Sequence, residues 1–249
     1  MQNSLLFENS IVLFKNVLYK NVTEYAMYQV LESYFKSSDF NYVVPKVDFE
    51  DIDINSITKL TKNGKFSFYV PESLNVSYNH KLVELGYYNL CSYTYLYRNL
   101  KYPFRNVSDS NFEMLSKSNI EDQIEIAKVC FPEKNNKEYT ELFEHVSNKN
   151  IKSKFFYNIL EYVQGEPAGF GFILIDTELK LSYMHNAGVL PKFRRNGLFL
   201  ALLKYRCNLS LLNKVHDLFA IVETSNPSYG AYIKLDFKPV EKYFVYTLK

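Results

Sequence analysis

The stretch GVLPKFRRNGLFLALL, Gly188 to Leu203, holds the residue types best suited to gripping a ligand. It begins as an apolar strand, meets Pro191, passes Arg194, Arg195, Asn196 and Gly197, and continues as an apolar helix from Leu198 and Phe199. Proline ends a strand because it has no N–H to give to a ladder. The helix start that follows exposes about four unpaired amide N–H groups and a partial positive charge. Two arginines beside such a start predict an anion seat, and Gly197 lets the anion approach the backbone. A diphosphate fits this description; a plain pair of solvated arginines is the alternative. Further along, NPSYGAYIKLDF places Asn226, Tyr232 and Phe237 around a short helix. Glu223 closes the strand before it, where ligands bind in α/β sheets, and its carboxylate could take a proton there; it could equally pair with a basic group or cap a turn. His185, in an apolar run on the strand before the arginines, is the second candidate base, with a core histidine as its alternative.

These residues need elements to hold them. Apolar periodicity predicts helices over 22–36, 54–62 and 76–85 in the first part of the chain, with strands over 41–45, KFSFYV and 88–97. YRNLKYPFRNVSDSN, with Pro103 and its Ser/Asp/Asn cluster, marks a boundary near residue 100, which divides the chain into 1–100 and 101–249. The second part predicts a short strand over 103–107 and helices over 120–129 and 136–147. A hairpin follows, KFFYNILEYV and AGFGFILID about a turn at QGEP, then the strand KLSYMHNAGVL. A helix over 197–213, the strand DLFAIVE, a helix over 228–234 and a strand pair around FKPVEKYFVYTL complete the order. Antiparallel hairpins followed by one β-α-β crossover predict an α/β (α+β) fold: a mixed, mostly antiparallel central sheet with helices on both faces, preceded by a smaller α/β domain. A faint internal repeat matches VELGYYNLCSYTYL with IKLDFKPVEKYFVY, each a helix ending in Leu-x-aromatic before an alternating strand.

Composition narrows the functions. The 249 residues are 47% hydrophobic and 22% charged, with 29 basic against 27 acidic side chains, a net charge of +2. That is a globular composition without the basic footprint of a nucleic-acid binder, so no nucleic-acid partner is expected. Cys91, Cys130 and Cys207 lie far apart, which disfavours a disulfide framework or a zinc site. The amino terminus fits neither a signal peptide nor a membrane span, so a cytoplasmic protein with no membrane partner is expected. The 22 tyrosines and 20 phenylalanines are spread along the chain, as compositional bias spreads them, rather than clustered as base-stacking platforms.

VLPKFRRNGLF resembles the acetyl-CoA signature of the GNAT superfamily of N-acetyltransferases, in which a strand ending V-x-P precedes an Arg/Gln-x-x-Gly-x-Gly/Ala loop that opens a long helix. Arg194 and Gly197 stand at the first two marked positions; Phe199 stands where Gly or Ala is usual. NPSYGAYIKLDF is similar to the family's Asn-x5-Tyr-x4-Phe segment, with Asn226, Tyr232 and Phe237 in place and Asp236 where glycine is usual. The resemblance covers 101–249 and implies the following. Val189 and Leu190 would hydrogen-bond a pantetheine arm through their backbones. The N–H groups of Arg195, Asn196, Gly197, Leu198 and Phe199, with Arg194 beside them, would hold the pyrophosphate of acetyl-CoA. Asn226 would contact the pantetheine or the following loop, and Tyr232 would protonate the departing thiolate. The implied activity is transfer of an acetyl group to an amine, on a small-molecule or peptide acceptor; a non-catalytic acyl-CoA sensor or interaction module on the same fold is the alternative. The first part, 1–100, lacks both motifs, with Leu82 where the repeat would place Tyr232. It reads as a degenerate second copy or an accessory domain that shapes acceptor choice or forms a homodimer surface.

Overall fold

The computed structural model describes residues 3–15, 18–35, 40–61, 66–105, 107, 111–131, 141, 144, 147 and 155–248. The chain divides into two compact units. The first comprises Met1–Leu96, Ile221–Tyr229 and Pro239–Lys249; the second comprises Tyr97–Ala220 and Gly230–Lys238. The sequence boundary near 100 lies close to the change at 96/97. However, two late stretches, 221–229 and 239–249, cluster with the first unit rather than with 101–249. One reason is pairing: the final strand lies antiparallel to a strand of the first unit, Tyr243 opposite Pro71 and Tyr246 opposite Phe68.

The first unit holds α1 (Asn3–Lys15), β1 (Tyr19–Glu24), β2 (Tyr28–Ser33), β3 (Tyr42–Pro45), α2 (Ile54–Thr61), β4 (Ser67–Pro71), α3 (Asn75–Glu84) and most of β5 (Tyr87–Asn99). Its strand order is β1-β2-β3-β4-β11-β5, where β11 is the last strand of the chain (Lys238–Leu248). The β1–β2, β2–β3 and β4–β11 pairs are antiparallel and the β3–β4 pair is parallel. Side chains alternate across β4, as period two requires. Phe68 and Val70 face Ile57 of α2 and Tyr78 and Leu82 of α3, all fully buried. Tyr69 faces the other way, stacked on Tyr243 at 4.5 Å between ring centroids, with Phe7 of α1 stacked on the same Tyr243 at 5.1 Å. Helices therefore cover both faces.

Three expectations in the chain's course are corrected. The helix expected over 22–36 is the β1–β2 hairpin, closed by Tyr25 N–H donating to Tyr28 O at 2.9 Å. Tertiary pairing overrides helix propensity here, because β2 also pairs with β3 and buries Val30 and Leu31. The strand expected over 103–107 is absent from its described residues, and β6 lies instead at Phe112–Met114. The backbone of Phe104 is tied by the Asn208 side chain, which accepts its N–H at 2.7 Å and donates to its carbonyl at 3.0 Å, a substitute for a strand neighbour. The strand pair expected at the carboxyl end is the single strand β11. The helix expected over 136–147 falls mostly outside the described residues; Glu141, Glu144 and Ser147 are helical.

The second unit holds β6, α4 (Ile120–Cys130), β7 (Phe156–Val163), β8 (Glu166–Asp176), β9 (Leu181–Val189), α5 (Leu198–Leu212), the start of β10 (Asp217–Glu223) and the end of α6 (Ser228–Lys234). The order is β6-β7-β8-β9-β10, antiparallel except for β9 with β10. The β7–β8 hairpin turns on Gln164 and Gly165, both at positive φ, a twist that matches the strands. Helix α4 packs on one face of β8 and β9 and α5 on the other. A Cβ at Gly188 would stand 2.7 Å from Cβ and Sγ of Cys130 in α4, and one at Gly171 would stand 3.2 Å from Leu202 Cδ2 in α5. Leu202, Leu203, Arg206, Cys207 and Ser210 form the buried stripe of α5, with Ser210 Oγ bonded to Ser182 Oγ at 2.7 Å. Among the described residues no helix is long and apolar enough to cross a membrane.

The internal repeat has a local structural counterpart. Helix α3 ends through Gly86 at φ 89° with its N–H on Val83 O, and α6 ends through Asp236 at φ 58° with its N–H on Ile233 O. Each turn leads into a buried aromatic, Tyr87 or Phe237, at the start of a strand.

The Gly188–Cys130 approach gives a direct test. Gly188→Ala must push α4 away, because Cys130 Cβ is rigidly attached to its backbone. The expected cost is about 1–3 kcal/mol, read as a lower urea midpoint at unchanged slope.

Candidate active site

The candidate anion seat forms where β9 ends. Pro191–Phe193 make one turn of 3-10 helix, and Arg195 (φ 66°) and Gly197 (φ 79°) are both left-handed. Left-handed residues in a turn bring successive N–H groups to one side, the backbone pattern of an anion-binding nest. Gly197 is the N-cap of α5, and no side chain caps that end. The first helical bond runs from Ala201 N–H to Gly197 O at 3.0 Å. The preceding amides, Leu198 and Phe199 among them, are the orphan donors of a helix start. Phe199 supplies its N–H as any residue would, and its ring is half-buried.

Of the two arginines, Arg194 is the less available. Its Nε donates to Val189 O at 2.9 Å, and its charge lowers the pKa of the Cys130 thiol against the stronger upward push of burial. Arg194, Arg195 and Asn196 are all exposed, but only Arg194 has its side chain tied back to the strand. Lys192 is paired with Glu166 at 2.5 Å.

The strand itself carries a feature that the sequence did not reveal. Gly171 lies opposite Ala187 and Phe172 opposite His185, so Asn186 is an extra residue, a bulge in β9. Leu190 N–H donates to Ala168 O at 2.9 Å and Leu190 O accepts from Phe193 N–H, so both of its polar groups are spent. By ladder alternation, the N–H groups of Val189 and Ala187 then point away from β8. Of the expected pair Val189 and Leu190, only Val189 presents an N–H to that edge, and Ala187 joins it.

Tyr232 sits on α6 with 5% of its surface exposed, edge-on to Phe237 at 5.2 Å. Burial raises its pKa, and the Arg206 guanidinium beside it pulls the pKa back down. Arg206 is fully buried, and its Nε and Nη2 complete no hydrogen bond. Sequence reasoning missed it. The available signal was a lone cation four residues after Leu202 and four before Ser210, on the apolar stripe of a helix.

Glu161 of β7 was also missed. It is 1% exposed, with Oε2 lacking a hydrogen-bond partner. Burial pushes its carboxyl up from 4.5 to about 8, with Arg206 opposing the shift.

The remaining candidates occupy turns. Glu223 closes β10 in the first unit, where its carboxylate accepts from Ser225 Oγ at 2.7 Å and its carbonyl from Asn226 N–H at 2.9 Å. Asn226 Oδ1 accepts from Ser228 N–H at 2.9 Å, capping α6. His185 is half-buried and bonded through Nδ1 to the Tyr183 hydroxyl at 3.1 Å.

Solved structures of the same shape now bear on the chain. A GCN5-related N-acetyltransferase from Kribbella flavida superposes with a TM-score of 0.67 at 14% identity, covering 99% of this chain and 95% of that one. Another from Sphaerobacter thermophilus gives 0.66 at 12%, covering 96% and 84%. The chain has a GNAT fold. A conserved protein of unknown function from Staphylococcus epidermidis shares it, with a TM-score of 0.68 at 14% identity over 94% of this chain and 96% of that one. No protein-family model and no curated protein matches the sequence. The expected mixed, mostly antiparallel sheet flanked by helices is the sheet observed in this GNAT fold.

Glu161 sets a pH dependence. Its folded-state pKa is raised, so the stability it contributes is full below pH 4.5 and is lost as pH rises through about 8. Glu161→Gln should melt near the wild-type temperature at pH 5. At pH 9 it should be more stable than wild type, by roughly 1–3 kcal/mol, in calorimetric scans at both pH values.

Proposed function

We propose that the second unit binds acetyl-CoA and that the protein transfers the acetyl group to an amine on a small molecule or peptide. The observation that carries this reading is the uncapped start of α5, preceded by left-handed Arg195 and Gly197 at the end of a bulged strand. A diphosphate needs several converging N–H donors and a nearby cation, and this segment offers both. The GNAT fold supports the same assignment at the level of architecture.

Bound there, acetyl-CoA would supply an activated acyl group and a thiolate leaving group. The amides of Arg195 to Phe199 and the Arg195 guanidinium hold the pyrophosphate. Val189 and Ala187 present N–H groups toward the open edge of β9, the donor type that stabilises a developing oxyanion. Tyr232 acts as general acid: its phenol is protonated at neutral pH and buried, where a proton is delivered to sulfur rather than exchanged with water. His185, in the same unit, takes the amine proton. The sensor reading gains from the engagement of Glu223 and Asn226 in turn and cap hydrogen bonds, and it predicts binding without turnover.

Calorimetric titration with acetyl-CoA should give a Kd between about 1 µM and 1 mM, and Arg195→Glu should weaken it at least about tenfold. Absence of binding at millimolar ligand overturns the assignment. Tyr232→Phe should lower kcat in a thiol-release assay across an amine panel by about 100-fold or more, with the acetyl-CoA Kd unchanged.

A further inference from the structure

A guanidinium taken fully out of water is costly unless its donors meet acceptors. Arg206 of α5 is 0% exposed, and what it meets is specific. Its Nη1 donates to Phe172 O at 2.9 Å and to His185 O at 3.2 Å. These residues face each other across β8 and β9, at the point where the register slips by one for Asn186. A bulge disrupts the ladder locally and leaves its extra residue, here Asn186, unpaired. Here one nitrogen, reaching in from the helix, serves a carbonyl from each strand.

The sheet is cut to admit it. Gly171 lies beneath the guanidinium, and a Cβ there would stand 3.1 Å from Arg206 Cζ and 3.2 Å from Nε. Nε and Nη2 complete no hydrogen bond of good geometry, and the guanidinium acts on the Tyr232 phenol, whose pKa it pulls down against the upward push of burial. Among the described residues no carboxylate forms an ion pair with Arg206. Glu161 acts on it from a distance and is largely protonated at neutral pH.

We propose that Arg206 is a positioning residue for acyl transfer, fixing the β9 bulge and the Tyr232 phenol with one buried cation. The proposal rests on the acetyl-transfer reading above. By pinning His185 O it sets the course of β9 into Ala187 and Val189, whose N–H groups face the open edge. By standing beside Tyr232 it favours the phenolate, which makes the phenol a better proton donor to a departing thiolate. That direction agrees with the downward pull of Arg206 on Tyr232. Donors for the oxygen and the proton for the sulfur are thus tied to one side chain.

The test uses the full chain, with Arg206→Met and Arg206→Lys each made alone and in a Tyr232→Phe background. Acetyl-CoA affinity comes from calorimetry, kcat from thiol release with the best amine of the panel, and folding from the melting transition. Arg206→Met should lower kcat by about 30-fold or more, while the acetyl-CoA Kd changes less than about threefold. Arg206→Lys keeps the charge but not the fork, and should lose only about five- to tenfold. In the Tyr232→Phe background each loss should shrink by at least about threefold, because the share that acts through the phenol is gone and only the share that acts through the bulge remains. If the losses multiply unchanged in both backgrounds, if Kd rises in step with the fall in kcat, or if the Lys variant is as slow as the Met variant, Arg206 is packing alone and the proposal is overturned. Should Arg206→Met fail to melt cooperatively, the Lys pair decides by the same comparison. If wild type neither binds acetyl-CoA nor releases thiol, the acetyl-transfer reading falls and takes this proposal with it. A wild type that turns over while the Arg206 variants match it overturns only the proposal.

Discussion

A guanidinium inside a dry core must find acceptors, and at the β8–β9 bulge two carbonyls, Phe172 O and His185 O, lie within reach of a helix. Arg206 answers that requirement, and much of the second unit follows from it. The helix must lie close enough for a long side chain to reach the sheet, so β8 carries glycine at 171. The stripe around the arginine must be apolar or self-satisfied, as Leu202, Cys207 and the Ser210–Ser182 pair are. On the opposite face the same economy recurs at Gly188, where α4 approaches until Cys130 touches the strand. With only 8 glycines in 249 residues, placing 169, 171 and 188 on two adjacent strands shows where backbone and helix must come nearest.

Local signals served the sequence reading best where chemistry and geometry coincide. Pro191 and Gly197 bracket the loop because one cannot continue a ladder and the other tolerates φ 79°. The hairpin at Gln164–Gly165 and the capped helix at Ser228 were equally legible, since turn and cap residues act within a few positions of themselves. Failures arose where distant residues decide. VTEYAMYQVLESYFK has helical periodicity, yet its second half is claimed by β3. Phe104 is held by Asn208, far along the chain. A bulge depends on the register of two strands, which no single run of residues encodes.

Glu161 and Arg206 were invisible for a related reason. Charged residues on strands and helices ordinarily lie at the surface, and only the finished packing shows these two inside. Leu190 is the converse. The resemblance gave it a ligand-binding backbone, whereas the ladder and the following 3-10 turn consume both of its polar groups. Donor direction along a strand alternates, so a family motif can name the right segment and still leave the register of its donors to be fixed by structure.

The phenol cluster of the first unit has a spectroscopic consequence. Tyr69, Tyr95 and Tyr243 are buried, and burial raises the pKa of each well above that of free tyrosine. Because the chain has no tryptophan, its near-ultraviolet absorption and emission come chiefly from its 22 tyrosines. Alkaline titration then divides them by accessibility. The stacked rings yield their protons only when the layer between α1 and the sheet opens. The late part of the ionisation curve thus becomes an optical clock for the unfolding of that one layer.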